Sequence, residues 1–138
     1  MSTANTALIQ RLFEEIYSQG NLTVADEIVA ADYVSHNPAP GEAPGREGLK
    51  ASVAYLRRAF ADLHVTIEDQ VTEGDSVTTR FIISGVHEGD YSGIPPSGHP
   101  FLVNAITIHR ICNGQIVESW LNWDTFSLIQ QLKAVHDG

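Results

Sequence analysis

The spacing of apolar residues changes period once along this chain, and that single change restricts the fold more than any other feature. From Ala7 to Gln19, the residues Leu8, Ile9, Leu12, Phe13, Ile16 and Tyr17 recur three and four positions apart, and Gly20 follows as a stop. That spacing predicts an amphipathic helix. Thr23 and Asp26 stand at the separation of an approximate capping box before Val24, Ile28 and Val29, which predicts a short second helix leading to Tyr33 and Val34. Leu49, Val53, Leu56 and Phe60 carry the helical period again, for a third helix that ends before Asp62.

From His64 onward the period is two: Val65 and Ile67, then Val77, Phe81 and Ile83, then Phe101 to Ile111, then Gln115 to Trp123. These are strands, because successive side chains of a strand point to opposite faces. EGD at Glu73 to Asp75 and NG at Asn113 to Gly114 are turn signals of the kind that join antiparallel neighbours, while GIPPSGHP from Gly93 to Pro100 makes a longer connection. A last helix is expected over Thr125 to Lys133. Helices first and strands after indicate an α+β fold, with the helices packed on one face of a curved antiparallel sheet. Between them, the proline and glycine density of Pro38 to Gly45 disfavours helix and central strand alike and predicts a surface loop at a pocket rim.

At 138 residues the chain is sized for one domain, residues 1–138, with 43% hydrophobic and 18% charged residues. Seventeen acidic against eight basic residues give a net charge of −9, a field that repels phosphate backbones and anionic membranes. Neither nucleic acid nor a membrane is an expected partner. No apolar run approaches the roughly 20 residues that span a bilayer, and MSTANTALIQ lacks the basic start and apolar core of a secretory signal, so a cytoplasmic location is expected. The single cysteine, Cys112, reads as a plain turn residue.

A twisted sheet against helices leaves a concave space suited to an apolar small molecule, which Tyr33, Phe81, Trp120 and Trp123 are placed to wall. No phosphate-binding glycine loop, GxSxG elbow, HExxH or paired CxxC occurs. The six histidines, His36, His64, His87, His99, His109 and His136, lack the short spacing of a metal cage on one element, so neither metal nor cofactor is expected. Acid/base work by carboxylate, histidine and tyrosine is the chemistry that remains.

Four segments in order, ADYV at Ala31 to Val34, GREGLKA at Gly45 to Ala51, GVHEGDYSGIPPSG at Gly85 to Gly98, and HRICNGQIVESW followed by NWD and IQQL, resemble the SnoaL-like polyketide cyclases of the nuclear-transport-factor-2-like superfamily. The resemblance covers nearly the whole length. It implies an α+β cone whose curved sheet and helices enclose an apolar pocket, usually in a homodimer. In the cyclases the family is named for, it also implies an acid/base aspartate on the last strand and an assisting histidine on the strand before it. With GIPP and NG kept in register, Leu121 stands where that aspartate is expected and Thr107 where that histidine is expected. A pocket asparagine of those cyclases falls at Ser35 or Asn37.

Period-two geometry puts Ser119, Leu121 and Trp123 on one face of the last strand and Trp120, Asn122 and Asp124 on the other. With Leu121 toward the pocket, Asp124 faces away and, standing just before a helical run, suits an N-cap; its alternative role is an acid/base group. His36 begins the rim loop and could reach a substrate carbonyl or act as a base. His109 shares the face of Thr107 and could stand in for the missing histidine. His87 and Arg80 read as structural. The catalytic candidates are therefore His36, His109 and Asp124, with Tyr33, Ser35, Asn37, Phe81, Thr107, Ser119, Leu121 and Trp123 lining the pocket. The expected function is cofactor-independent acid/base cyclisation, or related proton transfer, on an apolar polyketide-like carbonyl compound. The alternative is a binding protein on the same scaffold that has lost catalysis, and an epoxide-hydrolase-like activity lacks an assembled set of carboxylates and arginine.

Overall fold

A computed structural model describes residues 2–38 and 41–133. His136 and part of the expected rim loop, Ala39 and Pro40, lie outside the described residues. Helix α1 (Ser2–Arg11) runs without a break into a π-helical stretch, Leu12–Ser18, whose buried residues Leu12, Phe13 and Ile16 continue the apolar stripe. The wider winding shows in the bond from the Gln19 N–H to the Glu14 carbonyl, 3.0 Å. Gly20 ends it with φ of 77°, and a Cβ there would meet Nε of Arg57 at 2.4 Å, so the stop is also a packing site.

The second helix is shorter than its sequence suggests. A 3-10 turn, Leu22–Val24, leads into α2 (Ala25–Ile28), and the Thr23 hydroxyl donates to Oδ1 of Asn21 at 2.8 Å instead of capping the helix. The chain then becomes strand β1 (Val29–Ser35), so Val29, expected in the short helix, starts a strand, and Tyr33 and Val34, to which that helix leads, lie on it. Helix α3 (Gly45–Ala59) follows the rim loop. Strands β2 (Phe60–Glu73), β3 (Ser76–His87), β4 (Pro100–Cys112) and β5 (Gln115–Trp123) and helix α4 (Thr125–Lys133) complete the described chain.

The strands form one five-stranded sheet in the order β1-β5-β4-β3-β2. The run from β2 to β5 is antiparallel, and β1 adds a parallel edge by pairing Val34 with Glu118 and Ser35 with Ser119. The sheet is mixed because β1 enters from a helix on the sheet's covered face and not from a hairpin. Register shifts between Ala61 and His64, Ile67 and Asp69, and Arg110 and Ile111 are bulges, which bend strands and increase their twist.

The buried face of the sheet carries Val65, Val77, Phe81, Ile83, Phe101, Val103 and Ile111, and the helices lay Ile9, Leu12, Phe13, Ile16, Leu49, Val53, Leu128 and Leu132 on it. Burial of this apolar surface, at about 25 cal/mol per Å², is the main force holding the layers together. Arg57 on α3 donates to the carbonyls of Tyr17 and Ser18, each at 2.8 Å, and so ties the end of the π-helical stretch to α3. Among the described residues no helix is long and apolar enough to cross a membrane.

Candidate functional site

Strand β4 alternates strictly, with Phe101, Val103, Ala105, Thr107, His109 and Ile111 inward and the intervening residues outward. In a mostly apolar row, Thr107 and His109 are the exceptions. Register places Thr107 between Thr79 on β3 and Leu121 on β5, and His109 between Val77 and Ser119. Thr79, Thr107, His109 and Ser119 are all buried, and from β1 the Tyr33 hydroxyl shares a hydrogen bond with the hydroxyl of Ser119. The sheet thus gathers a polar patch in the core, drawn from four strands.

Buried polar groups are normally satisfied, so the exceptions carry information. Thr79 accepts from Nε2 of Gln70 at 3.2 Å. Among the described residues, Oγ1 of Thr107 and Nδ1 of His109 are buried without a hydrogen-bond partner. Two strand positions apart on one face, they leave adjacent polar sites open in an apolar surround. Leaving such groups unpaired costs about 1–3 kcal/mol each, a cost a protein retains where the groups serve a ligand.

Burial holds the His109 imidazole neutral by pushing its pKa down to about 4. Burial raises the Tyr33 phenol above its ordinary value, and the charge of Glu42 adds to that, against the opposing bonds from Ser119 and Ser35. Near neutral pH the patch therefore consists of uncharged groups: a phenol, three aliphatic hydroxyls and a neutral imidazole. Such groups polarise a carbonyl and receive the charge that develops on its oxygen.

The π-helical stretch closes over this patch. The Phe13 ring lies 6.0 Å from His109, edge to face, 4.5 Å from Phe81 and 5.4 Å from Tyr17. π-helical turns are uncommon and are often found at functional sites. Open space lies at the Tyr33 end, where a cavity of about 190 Å³ is bounded by Tyr33, Val34, Ser35, Pro38, Glu42 and residues 43–45. Tyr33 belongs to both, lining the cavity with its neighbours and bonding into the patch. Toward the other end of the sheet, Trp123 packs edge-on to Tyr91 with ring centres 6.4 Å apart. There Nδ1 of the fully buried His87 accepts the Ser97 N–H at 3.2 Å and ties the GIPPSG connection to β3.

Several expected site residues are placed elsewhere. His36 lies on the outer face of the sheet, stacked on Trp120 with ring centres 4.4 Å apart and with Nε2 2.7 Å from Oε2 of Glu118. Its backbone N–H continues the β1–β5 ladder to the Ser119 carbonyl, which turns the side chain to the opposite face from Ser119. Trp120 is outward for the same reason of parity, and Arg110 sits over its ring at 5.5 Å. Asn37 is exposed, and its side-chain amide pairs with the backbone of Leu121, accepting the N–H at 2.9 Å and donating to the carbonyl. It extends the strand edge in place of a pocket contact.

Asp124 is exposed and its Oδ1 accepts the Ser127 N–H at 2.9 Å, the bond of an N-cap. Arg80 is exposed on β3. Ser35 lines the rim cavity, Phe81 is core beneath Phe13, and Leu121 and Trp123 pack partly buried against the core. Glu42, which lines the rim cavity, and Tyr17, beside Phe13, are not among the residues expected from sequence. Glu42 stands in a loop without any period, and Tyr17 reads as one more apolar position on the first helix.

The sequence profile of the SnoaL-like polyketide cyclases matches residues 7–132. Aklanonic acid methyl ester cyclase DnrD of Streptomyces peucetius is 29% identical over 115 residues, which span 79% of this chain and 77% of that protein. The structure of TsrD from Streptomyces laurentii is similar with a TM-score of 0.89 and 30% identity, over 98% of each chain. IdmH from Streptomyces antibioticus, described as a candidate polyketide cyclase, is similar with a TM-score of 0.82 and 33% identity, over 94% of this chain and 99% of its own.

Proposed function

Since this chain belongs to the SnoaL-like polyketide cyclase family, we propose that it closes a ring in an apolar, polyketide-like carbonyl compound by proton transfer alone. The observation that carries this reading is the pair of open polar atoms on β4, Oγ1 of Thr107 and Nδ1 of His109, beside the hydrogen-bonded hydroxyls of Tyr33 and Ser119. A carbon next to a carbonyl becomes nucleophilic when that carbonyl's oxygen is held by donors as the proton leaves. A pre-arranged set of neutral donors in a dry site is suited to that oxygen, because it need not reorganise as charge develops. Ring closure of this type requires protons to move and nothing to be oxidised or reduced, which supports a reaction without a cofactor.

A binding protein on the same scaffold is the second reading. Leu121, packed against the core where the resemblance implies an aspartate, favours it. The two readings separate in one experiment: incubation with aklanonic acid methyl ester, the compound named for the relative DnrD, in buffer without added metal or cofactor. The cyclase reading expects an isomer of equal mass, with formation lost in Thr107→Val and in His109→Phe. Return of the ester unchanged, with quenching of Trp123 fluorescence on binding, supports the binder and overturns the cyclase reading for this compound class.

We also propose that a second copy of the chain covers the outer face of the sheet. Leu102, Ile106 and Ile108 alternate along β4 with 56%, 50% and 40% of their surface exposed, a strip of the kind that marks an interface. Light scattering after gel filtration should give a dimer for the native chain and a monomer for Ile106→Glu. A monomeric native chain would remove the proposal.

A further inference from the structure

Glu42 is fixed in place by contacts that the fold alone does not call for. It stands in the rim loop three residues before α3 begins at Gly45. Its Oε1 accepts the hydroxyl of Ser52, on the second turn of that helix, at 2.6 Å. The loop is seated closely on the helix as well: a Cβ on Gly48 would meet the Ala43 carbonyl oxygen at 1.7 Å, so only glycine admits this approach. Among the described residues, Oε2 of Glu42 has no hydrogen-bond partner.

Glu42 lines the same cavity as Tyr33 and Ser35, and the remaining wall is largely apolar, with Val34, Pro38, Ala43 and Pro44. Its charge reaches the Tyr33 and Tyr17 phenols and, after burial, helps to hold both above the ordinary tyrosine range. The patch on β4 supplies donors but no carboxylate, and Glu42 is a carboxylate that shares a cavity with Tyr33, whose hydroxyl is bonded into that patch.

We propose that Glu42 is the proton acceptor of this site, a carboxylate delivered by the rim loop against a substrate that rests on Tyr33. The inference rests on the cyclase reading above. The C–H bond beside a substrate carbonyl breaks, its proton goes to Oε2 of Glu42, and its electron pair forms an enolate. The enolate oxygen accepts hydrogen bonds from the neutral donors. The enolate carbon then bonds to a second carbonyl carbon of the same molecule, and the oxygen of that carbonyl takes the proton back from Glu42. Atoms balance, nothing is oxidised or reduced, and the product is an isomer. The substrate class is a compound with an acidic methylene between or beside carbonyls and a second carbonyl within reach for ring closure.

The test uses a carbon acid that does not depend on knowing the natural substrate. Nitrobenzisoxazole opens when a base removes its ring C–H: the C–H electron pair completes a nitrile, the N–O bond breaks, and a coloured phenolate is released. The native chain should open it faster than buffer. Glu42→Gln should lower the rate by roughly a hundredfold, the scale of general-base catalysis, while binding of the probe, read by tyrosine and tryptophan fluorescence, stays within about twofold. Glu42→Asp should restore part of the rate, and Glu47→Gln, which removes an exposed carboxylate on the adjoining helix α3, should leave it unchanged.

A native chain no faster than buffer, or a Glu42→Gln variant of undiminished rate and native melting temperature, overturns the proposal. Opening of the probe that depends on Glu42, in a protein that returns aklanonic acid methyl ester unchanged, keeps the carboxylate's role and removes the cyclase reading. Conversion of the ester by Glu42→Gln at the native rate does the reverse.

Discussion

The Asp124 carboxylate accepts the backbone N–H of Ser127 at 2.9 Å, and the Asp124 carbonyl accepts the N–H of Leu128 at 3.0 Å. The same residue gives its own N–H to the Asn104 carbonyl at 3.1 Å, so it ends the β4–β5 ladder and starts α4 in one step. Asp124→Ala should therefore lower stability by about 1 kcal/mol, the usual worth of an N-cap, while Asp124→Asn loses only a few tenths because asparagine caps equally well. Urea unfolding checks both. Turnover should survive in each variant, and a variant of native stability without turnover would return Asp124 to the catalytic candidates.

Thr107→Val should separate stability from function. The substitution keeps the shape of the side chain and removes a buried hydroxyl that has no partner among the described residues. Stability is expected to hold or to rise by up to about 1 kcal/mol, since an unpaired buried hydroxyl is itself unfavourable. Conversion of the test ester should fall at the same time. A variant that is both stable and fully active would show that the hydroxyl does not meet the substrate.

On the outer face, Glu118 is held below the ordinary glutamate range by His36 first and by Arg110 after it, with Arg110 2.8 Å from Oε1. A carboxylate with a lowered folded-state pKa stabilises above its unfolded value, and that contribution is lost as pH falls through the folded one. His36→Ala should move the Glu118 titration upward in carboxyl-carbon NMR and leave turnover unchanged. Loss of turnover in this variant would place His36 in the chemistry after all.

The parts of the fold legible in sequence are those governed by local period. The alternation of β3 and β4 and the run from Thr125 to Lys133 are visible without any knowledge of their neighbours, and parity alone assigns Trp120 to the face opposite Leu121. Strand β1 is different. Its burial follows no alternation, its register shifts between Val29 and Val34, and its partner β5 lies far along the chain, so local pattern points to the helix before it instead. The direction of His36 is hidden from sequence for a related reason: in a proline-rich segment no period tells which way a side chain turns. The inward placement of His109 was legible because it shares a strand and a parity with Thr107. Glu42 was not, because what fixes it, the contact with Ser52 and the approach of Ala43 to Gly48, exists only once loop and helix meet.

The neutral state of His109 gives the protein a sensitivity to acid that a single substitution should remove. Burial lowers the folded-state pKa to about 4 from the ordinary histidine value of 6.5, so between these two values the unfolded chain binds a proton that the folded chain refuses. Stability rises with pH wherever the unfolded state binds more protons, so this residue's contribution is complete above about 6.5, declines as pH falls toward 4, and changes no further below. The full span is on the order of 3 kcal/mol. Urea unfolding of the native chain from neutral pH down to the acid end should show this slope superimposed on that of the carboxylates. His109→Phe, which keeps a flat ring beside Phe13, should flatten the profile in that window specifically. An unchanged profile would mean that the imidazole takes up its proton in the folded state, and the patch on β4 would then carry a cation to the substrate oxygen in place of a neutral donor.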